Sequence, residues 1–174
     1  MKCEECGAPM TVERNGVRRY VIGGLPHVEL HGVEVSQCPQ CGTEEVGIPR
    51  IEQLHRALAA AFVRQPRMVA SAELRFLRKH LGLSAGDFAR MMGVTRETVS
   101  RWETGAKPMG SVADRLLRLL VLSHTPTESY EVDDLLNELT NDPAPKKLTS
   151  IAMWNNSGGG WLTQEKPPAA AART

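Results

Sequence analysis

The amino-acid sequence predicts an α+β multidomain protein, in which a small β-rich domain with four cysteines precedes an all-α domain and a partly disordered tail. Three observations lead to this fold class. Two Cys-x-x-Cys pairs flank an alternating, β-patterned segment near the start of the chain. Apolar residues recur at helical spacing from Ser71 to Leu122. After Ser123 the composition turns acidic and then rich in Pro, Ala, Gly and Ser.

Residues 1 to 48 are predicted to form the β-rich domain, and residues 49 to 70 a connecting helix and linker. Strand signals occur at Tyr20 to Ile22 and at Val28 to Val35, with turn residues between them. A domain of this size has little core, so it needs a metal or disulfides to hold its fold. In the connecting segment, apolar residues at helical spacing and a run of alanines predict a helix.

Residues 71 to 122 are predicted to form the all-α domain with four short helices. The first three have N-cap candidates, because a serine or threonine side chain can accept a hydrogen bond from a free amide of the first turn. The fourth helix is predicted over Ser111 to Leu122. The predicted N-caps are Ser71, Ser84 and Thr95, and the predicted terminators are Gly82, Gly93 and Gly105.

Residues 123 to 142 are predicted to form an acidic amphipathic helix, and residues 143 to 174 a largely disordered tail. The stretch from Glu128 to Asp142 holds six acidic and no basic residues, with apolar residues on one face. The last segment is rich in Pro, Ala, Gly and Ser. Trp154 and Trp161 are its only signs of local docking.

The charge is unevenly distributed along the 174 residues, although the formal net charge is only +1. Residues 1 to 65 carry 7 basic and 8 acidic side chains, residues 66 to 122 carry 10 and 5, and residues 123 to 174 carry 4 and 7. The middle segment therefore has a net charge of +5 between segments of −1 and −3. Such a local basic excess is typical of a surface that docks a polyanion.

The sequence carries no membrane or secretory signal. No run approaches the ~18 apolar residues that a membrane span needs, and the first six residues have no apolar stretch typical of a signal peptide. We therefore expect a cytoplasmic protein with no membrane partner. Cysteines stay reduced in the cytoplasm, so two close pairs favour metal binding over disulfides.

The four cysteines are predicted to bind one structural Zn²⁺ ion per chain. The two-residue gap in each pair lets both sulfurs reach one ion, and the glycine after each pair relieves strain in the turn. The 31-residue spacer is longer than the ~15 to 20 residues of the commonest pattern, so it must hold an extra strand or hairpin, which residues 20 to 35 fit. The predicted ligands are Cys3, Cys6, Cys38 and Cys41.

Two other interpretations of this region are less favoured. A redox Cys-x-x-Cys motif normally occurs singly and in a βαβ context, which the sequence lacks. His27 and His31 lie between the pairs, but four cysteines already fill a tetrahedral shell. We therefore interpret both histidines as surface residues.

Residues 81 to 105 have the spacing of a helix-turn-helix, with a tight turn at Gly93 and Val94 and a polar outward face on the second helix. In that arrangement the second helix lies in the major groove of DNA with its first residues at base edges. Arginine suits guanine because its planar fork matches the O6 and N7 acceptors. The candidate DNA-binding residues are Thr95, Arg96, Glu97, Ser100, Arg101 and Lys107, the last as a phosphate contact.

Alternatives remain open for this segment. Glu97 either accepts from the N4 amino group of cytosine or forms an ion pair with Arg101 four residues later. The basic face as a whole is either a DNA surface or the solvated face of a protein-interaction module. DNA binding is favoured because the glycine turn, the caps and the inward apolar positions occur together at the required offsets. Trp102 is interpreted as a core residue.

A set of short motifs within residues 74 to 108 carries a specific resemblance. They are Leu81-Gly82-Leu83-Ser84, Phe88-Ala89, Gly93-Val94-Thr95 and Ser100-Arg101-Trp102-Glu103-x-Gly105. This segment resembles the helix-turn-helix of Xre-type regulators, which are related to the phage repressors and Cro. The resemblance implies an ion pair between Arg78 and Glu103. This chain has Ala85 where the family often has a glutamine that contacts phosphate and base.

The combination of the cysteine unit with this helix-turn-helix is similar, over about residues 1 to 122, to the MqsA family of antitoxins with their YgiT-type zinc finger. Leu30 to Val35, Cys38 to Gly42 and Ile48-Pro49-Arg50 are similar to the second half of that finger. The resemblance implies zinc on the four cysteines, base reading by Arg101, a homodimer formed through the C-terminal domain, and a toxin that cleaves mRNA bound by the N-terminal domain. Glu97 stands where the family has asparagine.

We therefore predict a sequence-specific DNA-binding transcriptional regulator, an autorepressing antitoxin of a type II toxin-antitoxin system. Its homodimer is expected to place two recognition helices about one helical turn apart on a palindromic operator in double-stranded DNA. The alternatives are a stand-alone regulator without a toxin and a zinc-dependent protein-interaction adaptor. No enzyme is expected, because the sequence lacks a Ser-His-Asp setting and a phosphate loop, and a four-cysteine site has no open metal position.

Overall fold

The computed structural model describes residues 1–21, 23–124, 149–155 and 158–166. The described residues form two compact units, one of residues 1–21, 26–54, 149–155 and 158–166 and the other of residues 23–25 and 55–124. The first contains most of a β-sheet and the second most of the helices. The predicted α+β class, with a β-rich N-terminal region and an all-α segment, is confirmed.

The sheet of the first unit is built around one long strand, β2. Strands follow the order β1-β2-β4-β5, and β3 also pairs with β2. Val28 to His31 of β2 pair in parallel with Ser150 to Met153, and Glu34 to Gln37 pair antiparallel with β3. The strands are β1 (Thr11–Tyr20), β2 (Leu25–Gln37), β3 (Glu44–Gly47), β4 (Thr149–Asn155) and β5 (Gly160–Lys166).

Gly32 divides β2 into two segments whose buried faces are out of phase. Val28 and Leu30 are buried before Gly32, and Val33 and Val35 are buried after it. The alternation of buried and exposed residues along the strand therefore shifts by one residue at Gly32. Gly32 has φ +77°, and a Cβ there would lie 3.0 Å from the Trp154 carbonyl oxygen. Only glycine fits this bend without strain.

The prediction of a largely disordered segment from residue 143 to 174 is wrong for β4 and β5. These strands pair along their whole length, and the Trp154 and Trp161 rings pack with centroids 5.6 Å apart. The Trp161 indole N–H donates to the Pro49 carbonyl at 2.8 Å, and Arg50 donates to the Gly159 carbonyl at 2.7 Å. Composition indicated disorder because the partners that order this hairpin are about a hundred residues away in the sequence.

The helices of the chain agree with the predicted pattern. Within the all-α segment, residues 71 to 122, the four predicted short helices are present, and the predicted connecting helix precedes them. The acidic helix predicted within residues 123 to 142 lies, beyond His124, outside the described residues. The helices are α1 (Ile51–Arg64), α2 (Ser71–His80), α3 (Ala85–Met91), α4 (Arg96–Thr104) and α5 (Ser111–His124).

Two of the three predicted N-caps are confirmed. The Ser84 hydroxyl accepts from the Asp87 amide at 3.1 Å, and the Thr95 hydroxyl accepts from the Thr98 amide at 3.2 Å. The prediction for Ser71 is wrong, because Ala70 is the N-cap residue of α2. The cap hydrogen bond runs the other way, from the Ala70 amide to the Glu73 carboxylate at 2.8 Å.

A buried polar cluster ties the linker after α1 to α5. Arg118 donates to Asp114 at 2.7 Å and to the carbonyls of Val63 and Gln65, each at 2.8 Å. Asp114 also accepts from the Val69 amide at 2.8 Å. Because Asp114 and Arg118 are buried, each of their polar atoms needs a hydrogen-bond partner within the protein. The core side chains include Leu58, Phe62, Leu74, Leu77, Phe88, Val99, Leu117 and Val121.

Candidate metal centre and nucleic-acid interface

The four cysteines come together in the first unit as one cluster. Cys3 and Cys41 have their sulfurs 3.5 Å apart, and so do Cys6 and Cys38. All four sulfurs lie within 4.8 Å of one another. Cys3 and Cys38 are buried, whereas the second cysteine of each pair is exposed. The predicted ligand set is therefore brought to one point at the edge of the domain.

The two pairs form equivalent turns. The Gly7 amide donates to the Cys3 carbonyl at 2.9 Å, and the Gly42 amide donates to the Cys38 carbonyl at 3.0 Å. Both glycines adopt left-handed conformations, with φ +73° and +77°, as predicted for the residue that follows each pair. The backbone therefore holds both sulfurs of each turn toward the same centre.

The cluster has the dimensions of a tetrahedral Zn²⁺ site. Zinc–sulfur bonds of about 2.3 Å place the sulfurs of a tetrahedron about 3.8 Å apart. The two closest pairs, at 3.5 Å, are near this value and far from the ~2.05 Å of a disulfide bond. Four thiolates that meet at one point are the donor set of a closed structural zinc site.

The cysteine thiols have unequal proton affinities. The Thr43 hydroxyl, 3.1 Å from Cys41 Sγ, and the Thr43 amide lower the pKa of Cys41 to about 6. The Ala8 amide lowers the pKa of Cys6, but the neighbouring sulfurs and desolvation outweigh it and raise that pKa to about 12. A cation that binds this cluster would therefore compete more with a proton at Cys6 than at Cys41.

In the second unit, α3 and α4 are joined by the predicted tight turn. The Val94 amide donates to the Ala89 carbonyl at 3.0 Å, and Gly93 between them has φ +66°. This left-handed residue reverses the chain, and Thr95 then caps α4. The arrangement is that of a helix-turn-helix.

Helix α4 has one buried and one exposed face. Val99 and Trp102 are buried in the core, as predicted for Trp102. Ser100 and Arg101 lie on the exposed face. All six residues predicted from the sequence to contact DNA are exposed: Thr95, Arg96, Glu97, Ser100, Arg101 and Lys107.

An ion pair fixes α4 against α2. The Arg78 guanidinium donates from Nε to Glu103 at 2.5 Å and from Nη1 to the Leu83 carbonyl at 2.7 Å. Arg75 adds a second, more exposed contact to Glu103 at 3.4 Å. The Arg78–Glu103 pair implied by the resemblance is confirmed. It holds the exposed face of α4 at a set angle to the rest of the unit.

The charge excess of residues 66 to 122 is carried at the protein surface. Three of the ten basic and three of the five acidic side chains form largely buried ion pairs, so seven basic and two acidic side chains remain outside them. All seven of these cations are exposed. The buried pairs are Arg67 with Glu73, Arg78 with Glu103, and Arg118 with Asp114.

Sequence reasoning missed one surface feature, an apolar stripe on α5. Val112, Leu116 and Leu119 are 79%, 38% and 45% exposed, although Leu117 and Val121 of the same helix are buried. The signal was present in the sequence, because leucines occupy two faces of this helix at spacings of three and four.

The described helices include none long and apolar enough to span a membrane.

Comparison with known proteins supports the helical unit. Residues 74–125 match a family model described as helix-turn-helix, so the chain carries a helix-turn-helix domain. A curated relative from Archaeoglobus fulgidus, named "Putative HTH-type transcriptional regulatory protein", is 36% identical over 72 residues, which are 41% of this chain. The chain spans about a fifth of that relative's length, 22%. No solved structure matches the chain.

Proposed function

We propose that this chain is a sequence-specific DNA-binding transcriptional regulator that places α4 in the major groove of double-stranded DNA. The observation that carries the proposal is the division of α4 into two faces. Val99 and Trp102 fix one face in the core, while Ser100 and Arg101 lie exposed on the other. A rigidly held helix with polar side chains at its exposed N-terminal end is the usual means of reading base edges. The surface excess of five positive charges supports a polyanionic partner.

Arg101 and Lys107 have different roles in this proposal. Arg101, on the exposed face of α4, reads a guanine through its two-pronged guanidinium. Lys107 lies beyond the end of α4, where its amide donates to the Arg101 carbonyl at 3.2 Å. From there its ammonium group contacts a phosphate and contributes affinity without sequence preference.

Selection of bound sequences from random duplex DNA, followed by affinity measurements at several salt concentrations, tests the proposal. Arg101→Ala should weaken binding to the selected site by about 1 to 3 kcal/mol and relax one base position. Lys107→Ala should weaken binding to selected and random DNA alike and reduce the salt slope by about 1. The proposal is wrong if the wild-type chain enriches no sequence. An equal loss on both DNAs for Arg101→Ala would make this residue a phosphate contact.

We include a structural zinc ion, one per chain, in the proposed function. Two observations support the ion: the size of the four-sulfur cluster and the two equivalent turns that carry the cysteines. Cys3 and Cys38 anchor these turns, because they are buried in a small core with Met10 and Ala8. In the bound state the ion joins the N-terminal turn to the segment after β2. The site then stabilises the fold and leaves no position for a reacting water, so the chain has no catalytic role in this proposal.

The regulator is proposed to act as a homodimer on a palindromic operator, with α5 at the dimer interface. The exposed stripe of Val112, Leu116 and Leu119 supports this, since a contiguous apolar patch on a helix is a common site of association. In the proposed dimer a two-fold axis through this face relates the two copies of α4, one for each half-site of the operator.

The antitoxin role belongs to the same proposal and is supported by the joining of a four-cysteine β unit to a helix-turn-helix in one chain. In this role the first unit binds a toxin that cleaves mRNA, and the second represses the operon that encodes both. Co-expression of the chain with each small neighbouring reading frame tests the role. Rescue of growth by the wild type, and loss of rescue when Cys38 is replaced by Ser, is the expected result. Absence of any toxic neighbour would leave a stand-alone regulator.

A further inference from the structure

Glu97 is one of the two acidic side chains of residues 66–122 outside the largely buried ion pairs, and it lies in the part of α4 proposed to meet the bases. It occupies the first turn of the helix, directly after Arg96. Ser100 and Arg101 follow at three and four positions, so the three side chains share one face. A carboxylate here would be repelled by every phosphate of DNA and needs a compensating contact.

Glu97 keeps its charge in this position. Hydrogen bonds from its own amide and from the Thr95 hydroxyl lower its pKa, and the Arg96 and Arg101 cations lower it further. Protonation therefore does not relieve the repulsion at neutral pH. The side chain reaches the DNA surface as an acceptor that has no proton to donate.

The sequence left open an ion pair between Glu97 and Arg101. Among the described residues no ion pair joins these two side chains, and Glu97 is fully exposed. Arg101 is likewise exposed on the same face. Both charged groups are thus available to a partner that offers a donor to one and acceptors to the other.

We infer that Glu97 is a specificity-determining residue that selects a cytosine in each half-site by accepting a hydrogen bond from its N4 amino group. The inference rests on the proposed function of α4 as the recognition helix. Guanine presents only the O6 and N7 acceptors in the major groove and thymine presents O4 and a methyl group, so both repel the carboxylate. Adenine offers one donor beside the N7 acceptor, which opposes the second carboxylate oxygen. Arg101, one turn further on, then reads a neighbouring guanine.

Parallel selections from random duplex DNA with the wild-type chain, Glu97→Gln and Asp87→Asn test this inference. Asp87 is the other acidic side chain outside the buried pairs, lies on α3 beside Arg90, and controls for the loss of one negative charge. The wild type and Asp87→Asn should enrich the same motif, with one cytosine position in each half-site. Glu97→Gln should keep the rest of the motif and lose about tenfold preference at that cytosine, with adenine gaining because glutamine pairs with its N6 and N7.

The outcomes separate this inference from the function on which it rests. A wild-type motif that Glu97→Gln leaves unchanged would overturn the role of Glu97 while supporting sequence-specific binding. Absence of any motif with the wild type would overturn both. A motif that shifts equally with Asp87→Asn would show a general charge effect and would also overturn the inference. Circular dichroism of each variant before selection establishes that all three chains carry the same helix content.

Discussion

Replacing Arg118 by methionine should destabilise the second unit far more than the same change at Arg115, one turn earlier on α5. Arg118 is 5% exposed and joins Asp114 to the carbonyls of Val63 and Gln65, whereas Arg115 is exposed. Methionine fills a similar volume but donates no hydrogen bond. Asp114, 5% exposed, would remain as a buried carboxylate without its cation.

The expected loss for Arg118→Met is about 3 to 5 kcal/mol in the free energy of unfolding, the usual cost of removing one partner of a buried ion pair. This is a large part of the ~5 to 15 kcal/mol by which domains are stable. Arg115→Met, as an exposed substitution away from any buried pair, should stay within about 0.5 kcal/mol of the wild type. The linker between α1 and α2 would lose its anchor on α5 only in the first variant.

Urea unfolding followed by circular dichroism of the helices measures this difference. The double variant Asp114→Asn with Arg118→Met should recover at least about 1 kcal/mol relative to Arg118→Met alone, because it removes the uncompensated charge. The reasoning is refuted if the two single arginine variants unfold at the same urea concentration. It is also refuted if the double variant is no more stable than Arg118→Met.

Three further predictions concern the metal, the pH dependence and the assembly. Cys38→Ser should abolish stoichiometric zinc binding, measured with a chelating dye, and expose the N-terminal unit to proteolysis; retention of about one equivalent would contradict the proposed site. Burial, helped by His55 and nearby cations, lowers the pKa of His80 below its unfolded value near 6.5, so stability present above that pH is lost as the pH falls. The melting temperatures at about pH 7.5 and about pH 5.5 should therefore differ less for His80→Gln than for the wild type. An equally large difference in the variant would show that His80 is not the source of this pH dependence. Leu119→Asp should convert dimers to monomers in sedimentation while Met91→Asp, at an equally exposed apolar residue, should not; a dimer that survives Leu119→Asp does not use this face.

Local signals in the sequence predicted much of the molecule correctly. The two Cys-x-x-Cys pairs are separated by a strand hairpin as their long spacer required, and their four sulfurs meet. The caps Ser84 and Thr95 and the turn at Gly93 lie where the sequence places them. The caps and the turn depend on hydrogen bonds between residues at most five apart, so the chain needs no distant partner to specify them.

One feature that depends on distant partners was not predicted. The hairpin of β4 and β5 looked disordered because its order depends on β2 and on the contacts of Trp161 and Arg50 with segments far away in sequence. The hairpin depends on contacts that the local pattern does not contain. The Ser71 prediction failed for a local reason, because the Glu73 carboxylate, held by Arg67, accepts a hydrogen bond from the Ala70 amide three residues earlier.

The amino-acid sequence by itself determined which chemistry this protein carries, and the tertiary structure decided where each charge acts. Composition showed ten basic side chains in the helical segment but could not distinguish Arg118 from Arg101. Folding buried the first in an ion pair with Asp114 and left the second exposed on α4. Burial depends on which helix faces meet in the core, and a charge removed from water must find a partner there while an exposed one remains available to DNA.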